Sequence, residues 1–271
     1  MTISHDKLIS KFDLNDGKLA HLYASLPYGY YKEEIYQIFC ELIDAIGDGA
    51  RVLDIGAGPG HLAIEFYKKR PQSKTRFALM DSSHVLLKIA ASRLDSMGVQ
   101  LEIFHRNYNV EHWEENLGEF DIIVSNNALF SLNPTLISQF YEISYDLLNS
   151  NGIFLNQQAF DPSQLKEDFK IFYSILGPER YMSEKDKLRE SETAEAQVSI
   201  NSDEKLRFSA EIAHLKAEGW RLEETSSYAS LNLSTTQHID LMNSAGFNSA
   251  CVWRKMHFAV LAGLRGKPFS I

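Results

Sequence analysis

Between residues 33 and 47 the chain reads EEIYQIFCELIDAIG. Ile35, Ile38, Phe39, Leu42, Ile43 and Ile46 recur at helical spacing, and Gly47 and Gly49 close the pattern. Shorter apolar runs then alternate with helical ones. VLDI (52–55), TRFALMD (75–81), VQLEIFH (99–105), FDIIVSN (120–126) and GIFLNQQAF (152–160) read as strands. Between them, HLAIEFYKKR (61–70) reads as a helix ending before Pro71. SHVLLKIAASRLDSMG (83–98) reads as one stopped by Gly98, and PTLISQFYEISYDLL (134–148) as one opened by Pro134. The link NYNVEHWEENLGE (107–119) has the least clear period, and a short helix over 110–116 is expected there. Strands separated by helical segments predict an α/β fold: a doubly wound, mainly parallel sheet with helices on both faces.

After residue 160 the pattern changes. DPSQLKEDFKIFYSILG (161–177) carries an Asp161 cap, Pro162 in the first turn and Leu165, Phe169, Phe172, Tyr173 and Leu176 on one face. Residues 183–207 are polar and rich in charge. TTQHIDLMNSAGF (235–247) reads as a helix stopped by Gly246. ACVWRKMHFAVLAGL (250–264) is long enough for two adjacent strands joined near Arg254 and Lys255. The expected organisation is therefore one domain over residues 1–271 built on seven strands. A helical cap occupies 1–48, and a helical insertion over 160–230 precedes the last two strands.

Composition narrows the function without naming it. The 271 residues are 44% hydrophobic and 23% charged, an ordinary globular balance, with a net charge of −9. An acidic chain is poorly suited to neutralising phosphates, so nucleic acid is not the expected partner. Two cysteines, Cys40 and Cys251, with neither metal nor disulfide spacing fit a reducing, cytoplasmic setting. The first residues, MTISHDKLISKFDLNDGK, do not resemble a signal peptide, and no apolar run approaches the roughly 20 residues of a spanning helix. The nine histidines show no metal-ligand spacing. No HExxH, GxSxG or P-loop occurs in the chain.

The chemistry concentrates in VLDIGAGPG (52–60). A strand ends there, and Gly56, Gly58 and Gly60 follow at alternate positions. Open parallel sheets bind ligands beyond the carboxyl ends of their strands, where strand order reverses. Glycines at such a turn let backbone approach a ligand and tolerate positive φ. A dinucleotide turn spaces its glycines G-x-G-x-x-G. Here the third glycine is one position early, His61 would crowd a pyrophosphate, and Asp54 would repel it. Asp54 would instead attract an ammonium, so a ligand with a zwitterionic amino-acid end is favoured. Asp81, ending the second predicted strand, can accept both hydroxyls of a ribose.

VLDIGAGPG, Asp81, FDIIVSNNALFSL, LLNSNGIFLN and the closing AGF…HFAVLAGLR together resemble the class I S-adenosylmethionine-dependent methyltransferase family, over about residues 10 to 265. That resemblance implies S-adenosylmethionine as cofactor and direct, in-line methyl transfer to a small-molecule acceptor. It implies that Gly56, Ala57, Gly58 and Gly60 cradle the methionine part and that Asp81 and Ser82 hold the ribose. Asn107, where the family often has an acid, and Tyr108 would meet the adenine. Ser125 and Asn126 would border the sulfonium, with Asn126 also a candidate catalytic residue. The family's N-terminal segment often covers the cofactor, so Tyr23 and Tyr30, from the tyrosine-rich stretch at 23–31, are expected over it; a sulfonium is drawn to aromatic faces.

Phe130 and Ser131 stand where the family often places a histidine pair. The absence of a base there suits an amine, a carboxylate or an already ionised acceptor. Tyr173 and Arg254 are candidates for contacting that acceptor, against plainer roles in core packing and surface charge. SLPYGYY, the insertion and the closing hairpin also resemble carboxy-S-adenosylmethionine synthases, which keeps open a reaction that consumes the cofactor without methylating anything. A non-catalytic S-adenosylmethionine-binding subunit is a further alternative. The chain is expected to be a monomer or homodimer.

Overall fold

In the computed structural model, the described residues are 7–9, 17–25, 32–129, 132, 134–159, 220–222, 233–255 and 258–266. In chain order the elements are β1 (Lys7–Ile9), α1 (Gly17–Ser25), α2 (Lys32–Ile46), β2 (Arg51–Ile55), α3 (His61–Lys69), β3 (Arg76–Asp81), α4 (His84–Asp95), β4 (Glu102–His105), β5 (Phe120–Asn126), α5 (Pro134–Leu147), β6 (Leu148–Ala159), β7 (Trp220–Leu222), α6 (Thr235–Ser244), β8 (Asn248–Lys255) and β9 (Phe258–Leu264). The main sheet runs β4-β3-β2-β5-β6-β9-β8. Its first five strands are parallel, and β9 is antiparallel to both neighbours.

Each strand alternates its side chains between two cores. Val52, Ile122, Val124 and Leu155 join the apolar stripe of α2 (Ile35, Phe39 and Ile43) and the buried faces of α3 and α4. Leu53, Ile55, Ile123 and Phe154 face α5 and α6. Burial on both sides explains why these strands read as continuous apolar runs. Strand order reverses between β2 and β5, so a crevice opens beyond their carboxyl ends.

The pattern misleads in two places. No helix forms over 110–116, where consecutive turns occur instead. His112 and Asn116 adopt left-handed backbone with φ of 62° and 60°, which a continuing right-handed helix cannot contain. The link is held by Trp113, buried and stacked on Phe140 at 5.3 Å, and by Arg106, which donates to the Trp113 carbonyl at 2.8 Å. The N-terminal segment is not wholly helical either. Lys7–Ile9 is a strand paired in parallel with Trp220–Leu222, a partner more than 200 positions away by sequence number. Apart from that strand, the helices expected over 160–230 lie outside the described residues. Among the described residues no helix is long and apolar enough to cross a membrane.

Candidate functional site

The turn after β2 is fixed from below. The Gly56 and Ala57 N–H groups donate to the Met80 carbonyl at 2.8 and 3.0 Å, tying the turn to β3. All three glycines have positive φ, of 69°, 53° and 75°, but they differ in what surrounds them. A Cβ on Gly56 would stand 2.3 Å from the Ala128 Cβ, and one on Gly60 2.9 Å from the Ala90 Cβ. Those two glycines are required by the protein's own packing. A Cβ on Gly58 would meet nothing nearer than Tyr23 Cε1 at 3.8 Å. Gly58 is thus the glycine over which the crevice is open.

Asp81 closes one side of that opening. One carboxylate oxygen accepts from the Gly58 N–H and the other from the Ser83 N–H, both at 2.8 Å. Each oxygen keeps a lone pair for a ligand hydroxyl. Burial raises the Asp81 pKa, against the lowering by these two N–H groups and by His105. Asp81 does not cap the next helix: Ser83 is the N-cap of α4, its Oγ accepting from the Leu86 N–H at 3.2 Å. Ser83→Ala should therefore cost about 1 kcal/mol of stability, read as a lower melting temperature. Ser82 is exposed, and its carbonyl contacts the His105 ring at 2.9 Å.

Asp54 lies across the turn from Asp81 and is only 2% exposed. Burial, then the nearby Asp81 carboxylate, pushes its pKa from 3.8 up to about 8. A carboxyl in that state needs a cation to ionise. In strand register Asp54 stands opposite Val124, so Asn126 lies two positions further along the adjacent strand on the same face. Asn126 is half-buried, and its side chain bonds Tyr36 of α2. Tyr36 is 4% exposed, and burial, then Asp54, raises its pKa, which keeps the phenol neutral. Sequence reading missed Tyr36. The available signal was a tyrosine on a buried helix stripe where phenylalanine would pack as well.

The remaining expected residues divide by position. α1 rests on α4, with Ala20 against Leu86 and Arg93 donating to the Ala24 carbonyl at 3.0 Å. This brings Tyr23 beside Gly58. The Tyr108 hydroxyl donates to the Ala128 carbonyl at 2.7 Å, tying the loop after β4 to the segment after β5. Asn107 is exposed, and its Oδ1 accepts from the Asn109 N–H at 2.9 Å, closing its own turn. Ser125 is fully buried and pairs with Ile55, so by alternation its side chain faces the α5 core, away from Asp54. Arg254 is exposed near the end of β8, an edge strand three places from β5 in the sheet. At about 4.8 Å per strand it lies far to the side of Gly58. Tyr30, Tyr173, Phe130 and Ser131 lie outside the described residues. Among the described residues no group of three or more His, Cys, Asp or Glu side chains could hold a metal.

Comparison with known proteins points the same way. The profile of a methyltransferase domain family matches residues 52–152. Carboxy-S-adenosyl-L-methionine synthase of Nautilia profundicola is 27% identical over 126 residues, covering 46% of this chain and 51% of that protein. The chain thus spans about half the length of that relative. Ribosomal RNA small subunit methyltransferase C of Escherichia coli is 36% identical over 76 residues, 28% of this chain and 20% of that protein. A solved O-methyltransferase family protein from Burkholderia thailandensis has the same fold. Its TM-score is 0.57 at 12% identity, over 93% of this chain and 60% of that one. Residues 52–152 thus match a methyltransferase domain, within a fold shared with a solved O-methyltransferase family protein.

Proposed function

We propose that this protein transfers the methyl group of S-adenosylmethionine to a small-molecule acceptor. The observation that carries the reading is the opening over Gly58, flanked by Asp81 on one side and by buried Asp54 on the other. Asp81 offers lone pairs to a ribose, Asp54 offers a buried carboxyl to an ammonium, and Tyr23 offers an aromatic edge between them. S-adenosylmethionine supplies an activated methyl group on a sulfonium, with its leaving group built in. The residues of the chain bind and align the reactants and exclude water. Among the described residues, Asn126 at the end of β5 and Asn127, Ala128 and Leu129 after it include no general base. This favours an acceptor that already presents a lone pair. The net charge of −9 disfavours a nucleic acid as that acceptor.

The likeness to carboxy-S-adenosyl-L-methionine synthase over 46% of the chain supports a second reading, in which the cofactor is itself consumed. Incubation with S-adenosylmethionine and a panel of amine and carboxylate acceptors, followed by mass spectrometry, separates the two. The main reading predicts S-adenosylhomocysteine and a methylated acceptor. Methylthioadenosine with no methylated product would overturn it.

Asp54 adds a pH signature. With its pKa raised from 3.8 to about 8, it carries more proton in the folded than in the unfolded chain. Its contribution to stability is full below about pH 4 and is lost as pH rises through about 8. An ammonium placed beside it reverses that preference, so cofactor binding at pH 7 should release between half a proton and one. Calorimetry in two buffers of different ionisation heat measures this number. It should fall to near zero in Asp54→Asn.

A further inference from the structure

We propose that Tyr36 is a positioning residue: it fixes the Asn126 amide beside Asp54, so that the two present a paired acceptor site for the ammonium of the cofactor's amino-acid end. The inference rests on the S-adenosylmethionine reading and assigns it a residue that no glycine or acid motif contains.

The fold dictates the arrangement. Asp54 and Asn126 belong to adjacent parallel strands, share one sheet face and lie at the carboxyl ends where strand order reverses. α2 covers that face, and its stripe of Ile35, Phe39 and Ile43 anchors it in the core around Val52 and Val124. Tyr36 is buried in the same cluster, which places its ring under the strand ends and its hydroxyl against the Asn126 side chain. Phenylalanine would fill that volume equally well, so the hydroxyl is the part that packing alone does not explain.

The polarity of the bond sets the chemistry. Asn126 lowers the Tyr36 pKa against the upward shift that burial causes, the direction in which an amide N–H donating to the phenol oxygen acts. With its NH2 anchored inward, the amide leaves Oδ1 as its acceptor for the crevice, on the same face as Asp54. Two acceptors, one of them ionisable, suit an ammonium and not a carboxylate. Half-burial of Asn126 keeps this group accessible to a ligand. Acting through Asn126, Tyr36 should influence the amino-acid end of the ligand and not its ribose.

The test uses two ligands that share adenosine and differ in that end. S-adenosylhomocysteine has the ammonium, and methylthioadenosine lacks the whole amino-acid portion. Tyr36→Phe should weaken S-adenosylhomocysteine by about 5- to 30-fold and leave methylthioadenosine within twofold of wild type. Asn126→Ala should do the same, and the double variant should lose no more than either alone, because both remove one unit. Additive losses, equal weakening of both ligands, or unchanged S-adenosylhomocysteine affinity would overturn the proposal. Failure of the wild type itself to bind S-adenosylhomocysteine would instead bring down the cofactor reading beneath it, and the proposal with it.

Discussion

Asp81→Ala should weaken S-adenosylhomocysteine and methylthioadenosine together, each by about 100- to 1000-fold. Two ribose hydroxyls donating to one carboxylate are charge-assisted bonds, each contributing roughly 1.5–2 kcal/mol. Their combined loss, about 3–4 kcal/mol, gives that range of affinity. The variant also strips an acceptor from the Gly58 and Ser83 N–H groups, which both end on this side chain. The turn over the opening therefore loosens as the ligand loses its partner. Asp81→Asn keeps the shape and one acceptor oxygen but loses the charge, and should cost about 10-fold. Equal effects on both ligands distinguish this residue from Tyr36. A binding constant for Asp81→Ala within threefold of wild type would show that the ribose does not lie there.

The second large effect separates two glycines that look alike in sequence. Gly56→Ala places a Cβ 2.3 Å from the Ala128 Cβ on backbone with φ of 69°. The left-handed conformation costs about 1–2 kcal/mol and the overpacking about 1–3 more. For a chain of this size that corresponds to a melting temperature lower by roughly 5–15 °C. Gly58→Ala carries the conformational cost, but its Cβ meets only ordinary contacts, Tyr23 at 3.8 Å and Leu86 at 3.9 Å. Its melting temperature should fall by only a few degrees. Its Cβ projects into the opening where the ligand must approach, so affinity should fall about 10- to 100-fold. Gly58→Ala with normal binding would contradict the placement of the ligand.

This contrast marks how far the sequence reaches. Strand ends, alternate glycines and the two acids are local features, and each is visible as a short pattern. The doubly wound sheet follows because strands buried on both faces announce themselves as apolar runs between amphipathic helices. The alternate spacing of Gly56, Gly58 and Gly60 does not reveal which of them serves packing. That depends on Ala128 and Ala90, which long-range folding brings to Gly56 and Gly60. Tyr36 was hidden for a related reason. Its position on α2 marks it as core, and only the register of β2 against β5 brings its hydroxyl to Asn126 and Asp54. The pairing of Lys7–Ile9 with Trp220–Leu222 has no local signature at all. In the link after β4, two left-handed residues override a stretch that composition alone would allow to be helical.

The acid two residues ahead of the glycines carries the central claim. A buried, nearly neutral Asp54 and a turn with an early third glycine are suited to an amino-acid nucleoside and unsuited to a diphosphate. Calorimetric titration of the purified protein with S-adenosylmethionine, S-adenosylhomocysteine and NAD tests this most directly. The account predicts one-to-one binding of both sulfur nucleosides and no measurable heat with NAD. Tight binding of NAD, with no binding of either sulfur nucleoside, would contradict it.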